Sequence, residues 1–412
     1  MLRALKEFKI GQPQVFAGLL LSAFLLQCLW ASSTRTFSEL EYQYIASGHR
    51  LAADRQGSGR QAPGNQTSGE QGLGEQNTVT SPLTGVVANL PLRLLAVLRR
   101  WMAAPATSTT LGTGAAAASM PQAFAIPPTW LVRLPFITFG LWLGAALWWV
   151  ARRLFGDSGG YVALALYCFS PAMVMVSSIV GPEIVLAWSG FGMIYTAIGV
   201  AHTVYASPRK WAPRILLLGV SIGICISTAL WAFSFVLLSA IFMMYLAPQR
   251  RRGAVLLVLS TSIAIGLAIL GFFAWMTGSF GAGHGRLVAP HFTWALLRNL
   301  SFPFADSYAL PMILVPALTI YGSWPRARYF GNTAPLVASF ASVLLFTLVP
   351  AIYLWYATLG LSFVFLFIGG IAADVLETRF RPVAAWLLAA AVTLKAIFCL
   401  ILMHRWGHQN TV

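Results

Sequence analysis

The run AVLLVLSTSIAIGLAILGFFAWM, residues 254–276, decides the class of fold. It holds no charged side chain, and Arg250, Arg251 and Arg252 stand just ahead of it. A helix rises 1.5 Å per residue, so about 20 apolar residues cross the roughly 30 Å hydrocarbon core of a bilayer. An uncharged run of that length reads as a transmembrane helix. Ten further apolar runs lie near 14–31, 130–151, 160–180, 184–205, 213–229, 231–247, 308–323, 334–354, 356–373 and 384–403. The pair 213–229 and 231–247 demands a tight turn around Leu230, with no charge between them.

Composition points the same way. Of 412 residues, 58% are hydrophobic and 9% are charged, and the mean hydropathy is +0.73. A soluble domain carries about 25% charged residues. A water-soluble fold could not hide so much apolar surface, whereas lipid removes the need to. The net charge of +16 does not point to nucleic acid. Lysines and arginines sit in short clusters between apolar runs, and no aromatic, basic face accompanies them.

Such clusters set orientation. An N-terminus inside the cell places Arg3, Lys6, Lys9, Arg152, Arg153, Arg209, Lys210, Arg214, Arg250, Arg251, Arg252, Arg326, Arg328, Arg379 and Arg381 on the cytoplasmic side. Only Arg286, Arg298 and Arg405 fall in the short outer loops and at the C-terminus. The long first loop is left out, because long loops translocate whatever their charge. Fifteen against three predicts a cytoplasmic N-terminus and an odd number of spans. The first run lacks a small-residue cleavage site and reads as a retained span, not a signal peptide. The expected fold is an all-α polytopic membrane protein of about eleven transmembrane helices. Residues 1–412 form one transmembrane domain, with no soluble domain after the last span. Cys28, Cys168, Cys225 and Cys399 each lie in an apolar run and read as packing residues, with neither disulfide nor metal cluster expected.

The first extracytoplasmic loop covers about 32–129. Residues 34–52 have the pattern of an amphipathic helix, with Phe37, Leu40, Tyr44 and Leu51 near one stripe. Residues 53–80, rich in Gly, Gln, Ser and Asn, read as flexible, as does the low-complexity stretch 105–128. Residues 82–104 read as a helix in the membrane interface, with Arg93, Arg99, Arg100 and Trp101 at headgroup level. A second outer loop, 277–307, holds His284, Arg286, His291, Arg298 and Asp306.

Eleven acids are few enough to sort by side. Glu7, Asp157, Asp374 and Glu377 fall inside, while Asp54, Glu70 and Glu75 lie in or beside the flexible tract. Glu39, Glu41, Glu183 and Asp306 remain at the outer surface. Glu39 and Glu41 stand in Ser38-Glu39-Leu40-Glu41-Tyr42-Gln43-Tyr44-Ile45-Ala46, soon after the first span; Glu183 stands in Gly181-Pro182-Glu183, at the turn between the third and fourth. An acid at such a turn costs energy unless something uses or pairs it.

Further along come Ser81-Pro82-Leu83-Thr84, then Arg133-Leu134-Pro135 opening the second span, Leu154-Phe155-Gly156 ending it, and Ser170-Pro171 in the third. In this order and on these sides, over about residues 32–205, the chain resembles the GT-C glycosyltransferases. These are multi-span enzymes that use polyprenyl-phosphate-linked sugars; nearest in style are the lipid A aminoarabinose transferases and protein O-mannosyltransferases. The family's first loop opens with a pattern like Asp-Glu-x-x-Tyr-x-x-Ile-Ala, matched here at Glu39, Tyr42, Ile45 and Ala46. Ser38 stands where the family has its first aspartate.

The resemblance implies inverting transfer of a sugar from a polyprenyl-phosphate-sugar donor to a hydroxyl of a lipid, glycan or protein. The site would face outward from a bacterial cytoplasmic membrane. Glu39, Glu41 and Glu183 are the candidate catalytic carboxylates, since an attacking hydroxyl needs a base. The departing phosphate needs cations. Arg133, Arg286 and Arg298 are candidates, because a guanidinium fork holds two phosphate oxygens; Tyr42 joins them as a substrate-binding residue. Mg2+ or Mn2+ held between Glu39 or Glu41 and Glu183 is the alternative, since oxygen ligands favour these ions. Lys395, in the middle of the last span, either contacts a lipid phosphate or pairs with another polar group. A transporter or lipid flippase is the second reading, opposed by the absence of an internal repeat, and a non-catalytic relative the third.

Overall fold

The computed structural model describes residues 13–42, 44–45, 83–91, 94, 129–203, 211–229, 232–277, 306, 309–348 and 358–409. Every regular element among them is a helix. The principal ones are α1 (Pro13–Thr34), α2 (Thr129–Cys168), α3 (Pro171–Ser177), α4 (Pro182–Thr203), α5 (Ala212–Thr228), α6 (Phe233–Leu246), α7 (Arg252–Thr277), α8 (Ala309–Ser323), α9 (Phe330–Leu348), α10 (Thr358–Leu376) and α11 (Arg381–Gln409). A helix lies on each of the eleven apolar runs. Six stretches, in α1, α2, α4, α7, α10 and α11, are long and apolar enough to cross a membrane, and α5, α6, α8 and α9 contribute shorter apolar helices. This is an integral multi-pass membrane protein.

Two of the expected spans lie in α2 as two helical segments that meet at a kink. α2 is 40 residues long and bends at Gly156, whose φ of 76° and ψ of −174° lie in a region essentially closed to other residues. Arg152 and Asp157 flank the bend and pair across it at 2.5 Å. An added Cβ at Gly156 would meet nothing within 4 Å, so only the backbone conformation demands glycine. Gly156→Ala is accordingly expected to lower stability by about 1–3 kcal/mol. The measurement is the thermal midpoint in lipid nanodiscs; an unchanged midpoint would show that the bend tolerates a side chain.

Helices in lipid associate by close packing of small residues rather than by the hydrophobic effect. The second half of α2 meets α10 in this way: a Cβ built on Gly369 would stand 2.8 Å from the Gly159 carbonyl oxygen and 2.9 Å from Ala163. α5 meets α7 through Gly219 and Gly223, which face Ile265 and Ile269. α10 runs through the interior, with buried side chains from Thr358 to Ala373. α11 lies at the rim, exposing Val383, Trp386, Leu387, Ile397 and Leu400, as a lipid-facing helix does.

The first loop differs from expectation at the start of its first helix. The helix expected over 34–52 begins at Glu39, because α1 continues to Thr34 and residues 36–38 are non-helical. Leu40 is exposed, while Phe37, Tyr44 and Ile45 pack on the core. The helix over 83–91 packs into the protein, while Arg93, Arg99, Arg100 and Trp101 of the expected interfacial helix lie outside the described residues. Leu83, Thr84, Val87, Ala88 and Asn89 are buried, and Asn89 Nδ2 donates to the Ile45 and Gly85 carbonyls, fastening it to the 39–45 helix. The expected flexible stretches 53–80 and 105–128, and residues 278–305 of the second loop, lie outside the described residues.

Candidate active site

The C-terminus of α1, the N-terminus of α2 and the turn from α3 to α4 converge at one end of the bundle. Their junction is built on Arg133. A guanidinium has five N–H donors, and here all five are used. Nε and one Nη2 proton form a two-point bridge to Glu41 Oε1 and Oε2, both at 2.9 Å. The others reach the carbonyls of Ser32 (2.9 Å), Arg35 (2.8 Å) and Thr36 (2.9 Å), in and just after the last turn of α1 where carbonyls lack helical partners. The Phe37 ring covers the guanidinium carbon at 4.9 Å.

Glu41 is equally occupied. Ser38 Oγ accepts the Glu41 N–H at 3.3 Å while Glu41 Oε2 accepts the Ser38 N–H at 2.9 Å. This reciprocal cap opens the helix at Glu39. Glu41 Oε1 also accepts the Val180 N–H at 2.9 Å. Four donors fill the carboxylate's acceptor positions, and both charged partners are almost wholly buried, Arg133 at 0% and Glu41 at 2% exposure. Ser38 is therefore the helix cap, a role that accounts for serine where the resembled pattern has an acid.

Three residues after Val180 comes Glu183, in the first turn of α4, where the helix dipole favours an acid. It is 7% exposed, and its Oε2 has no hydrogen-bond partner among the described residues. The carboxylate turns back onto Gly181, where any Cβ would collide with Oε2. A buried carboxylate oxygen without a donor is costly in a structural role and apt for receiving a proton.

The other sequence candidates disperse. Glu39 and Tyr42 are exposed on the same short helix, Tyr42 lying edge-on to Phe37 at 5.5 Å. Arg286 and Arg298 lie outside the described residues. Lys395 is fully buried and bonds Asp306 Oδ2, whose Oδ1 accepts from Ser170; Asp306 is thus not at the surface, as its loop position had suggested. Lys395 also lies 5.2 Å from the Phe365 ring centre.

Arg35 is a cation that sequence reasoning passed over, hidden among the charges of a long loop. It is half-buried, and its guanidinium has no hydrogen-bond partner among the described residues. Burial lowers its pKa, Glu41 acts in the opposite direction and Arg133 adds to the lowering, which sets the group beside the clamp. It remains charged, because arginine starts so high.

A divalent ion held between Glu41 and Glu183 does not fit these residues. Glu41 has no free acceptor position, and no group of three His, Cys, Asp or Glu side chains able to hold a metal ion occurs among the described residues.

Fold and site together define a multi-span membrane protein with an ionic clamp at one end and, beside it, a buried carboxylate whose Oε2 has no hydrogen-bond partner among the described residues. No protein-family model matches the sequence, and no curated protein matches it. Among solved structures, ArnT from Cupriavidus metallidurans in the apo state superposes with a TM-score of 0.57 at 12% identity, over 95% of this chain and 72% of ArnT. The archaeal oligosaccharyltransferase AglB from Archaeoglobus fulgidus, in complex with an inhibitory peptide and a dolichol-phosphate, gives 0.47 at 11% identity, over 95% of this chain and 56% of AglB. At such identity the likeness to ArnT shows the fold alone: the helices are arranged as in that structure. It extends beyond residues 32–205, on which the sequence resemblance rested.

Proposed function

We propose that this chain is a glycosyltransferase. It moves a sugar from a polyprenyl-phosphate-sugar donor to a hydroxyl of a lipid, glycan or protein acceptor, at the outer face of the cytoplasmic membrane. The observation that carries this reading is Glu183 Oε2, buried and without a partner among the described residues, beside the Arg133–Glu41 clamp at the end of the bundle bearing the long first loop. The fifteen-to-three distribution of basic residues is what assigns that end to the outside.

In this reading the acceptor oxygen attacks the anomeric carbon while its proton passes to Glu183. The bond from that carbon to the phosphate oxygen breaks, and its electron pair leaves with the lipid phosphate. Attack opposite the leaving group inverts the configuration. Arg35, with Arg286 and Arg298, supplies positive charge to the phosphate in place of Arg133, whose donors are spent. Tyr42 and Glu39 border the sugar. Glu41 positions the turn that carries Glu183 and takes no proton.

The test uses purified protein in liposomes containing a panel of polyprenyl-phosphate sugars, with membrane lipid extract as acceptor. Free polyprenyl phosphate and a glycosylated product of inverted anomeric configuration are expected. Movement of intact donor lipid between leaflets without bond cleavage would instead establish a flippase.

A further inference from the structure

α3 is seven residues long, too short to hold its place by its own hydrogen bonds. Its position is nevertheless fixed at both ends by buried carboxylates. At the N-terminal end Ser170 is the cap: its Oγ accepts the Met173 N–H at 3.3 Å and donates to Asp306 Oδ1. Asp306 is 1% exposed and is bonded through Oδ2 to Lys395, which is 0% exposed. Beyond the C-terminal end, after Ser178 closes the helix onto the Val174 and Met175 carbonyls, the Val180 N–H is held by Glu41, itself paired with Arg133. Gly181, Pro182 and Glu183 follow directly.

We propose that Asp306 and Lys395 are positioning residues for Glu183: α3 is a strut between two cation-paired carboxylates, and the Lys395–Asp306 pair sets the end remote from the clamp. This rests on Glu183 being the base. Lys395 lies in α11, otherwise a rim helix, and one turn later Cys399 Sγ contacts Gln27 Oε1 of α1 at 3.4 Å. The pair thereby ties α11 and the start of α8 to the strut. Loss of Lys395 removes the cation paired with the buried Asp306 carboxylate, which then recovers a proton or reorients away from Ser170. Both charges absent together leave no such demand.

Two readouts separate this inference from the glycosyltransferase reading. In nanodiscs, Lys395→Met is expected to speed amide exchange across 171–180 by about tenfold or more, with Asp306→Asn similar and the double variant closer to wild type. Wild-type exchange in both single variants would overturn the strut, whatever the enzymatic result. In the transfer assay, normalised to folded protein, Lys395→Met is expected to lower kcat about tenfold or more with an unchanged KM for the donor, and Lys395→Arg to restore it. Undiminished kcat with faster exchange would overturn the positioning role. Faster exchange in a protein whose wild type transfers no sugar would refute the glycosyltransferase reading and leave the strut standing.

Discussion

Glu183→Gln is expected to reduce sugar transfer by about 10²–10⁴-fold, the usual worth of a positioned base, with donor KM and thermal midpoint close to wild type. Glutamine has nearly the same shape but cannot take the acceptor's proton. Because Glu183 Oε2 bonds no described residue, the substitution removes no hydrogen bond seen at that atom, and stability should hold. Gly181→Ala tests the same atom from outside: its methyl group would occupy the position of Oε2 and displace the carboxylate. Glu39→Gln, on an exposed residue, is expected to have the smaller effect. If Glu183→Gln retains full turnover while Glu39→Gln loses it, the base is Glu39. Full turnover in both would sink a carboxylate mechanism at this end of the bundle.

Arg133→Met is expected to destabilise the protein by about 3–5 kcal/mol, the range seen when one partner of a buried ion pair is removed. It strands Glu41 and removes the Arg133 donors from the carbonyls of Ser32, Arg35 and Thr36, of which Ser32 keeps Thr129 Oγ1. Glu41→Leu should cost a comparable amount by stranding the guanidinium. Combining the two should cost less than their sum, because neither charge remains to be satisfied. Chemical unfolding in mixed micelles reads all three. Additive losses would mean that the pair is not a unit.

The apolar runs were legible because lipid imposes length and charge depletion directly on sequence. Gly156 was legible as the end of the second span, although not as a kink with a backbone conformation that only glycine adopts. Between 213–229 and 231–247 the predicted tight turn falls between Thr228 and Phe233, where α5 ends and α6 begins. The site was less legible. Ser38-Glu39-Leu40-Glu41 carries the Ser-x-x-Glu signature of a helix cap, a local pattern legible in the sequence beside its likeness to an acidic motif. The partners of Arg133 and Lys395 could not be read at all. Arg133 binds carbonyls 97 to 101 residues earlier, and Lys395 meets an aspartate 89 residues away. Such pairs depend on which helices pack together, and periodicity within one helix is silent on that. Composition marks a buried charge as expensive without naming what relieves it.

The most direct test is a cryo-electron microscopy map of the full chain in nanodiscs with a non-hydrolysable polyprenyl-phosphonate sugar. The account predicts the sugar's anomeric carbon facing Glu183 and the phosphonate beside Arg35, with the Arg133–Glu41 clamp unchanged. A donor headgroup bound at the opposite end of the bundle, or one that displaces Glu41 from Arg133, would contradict it.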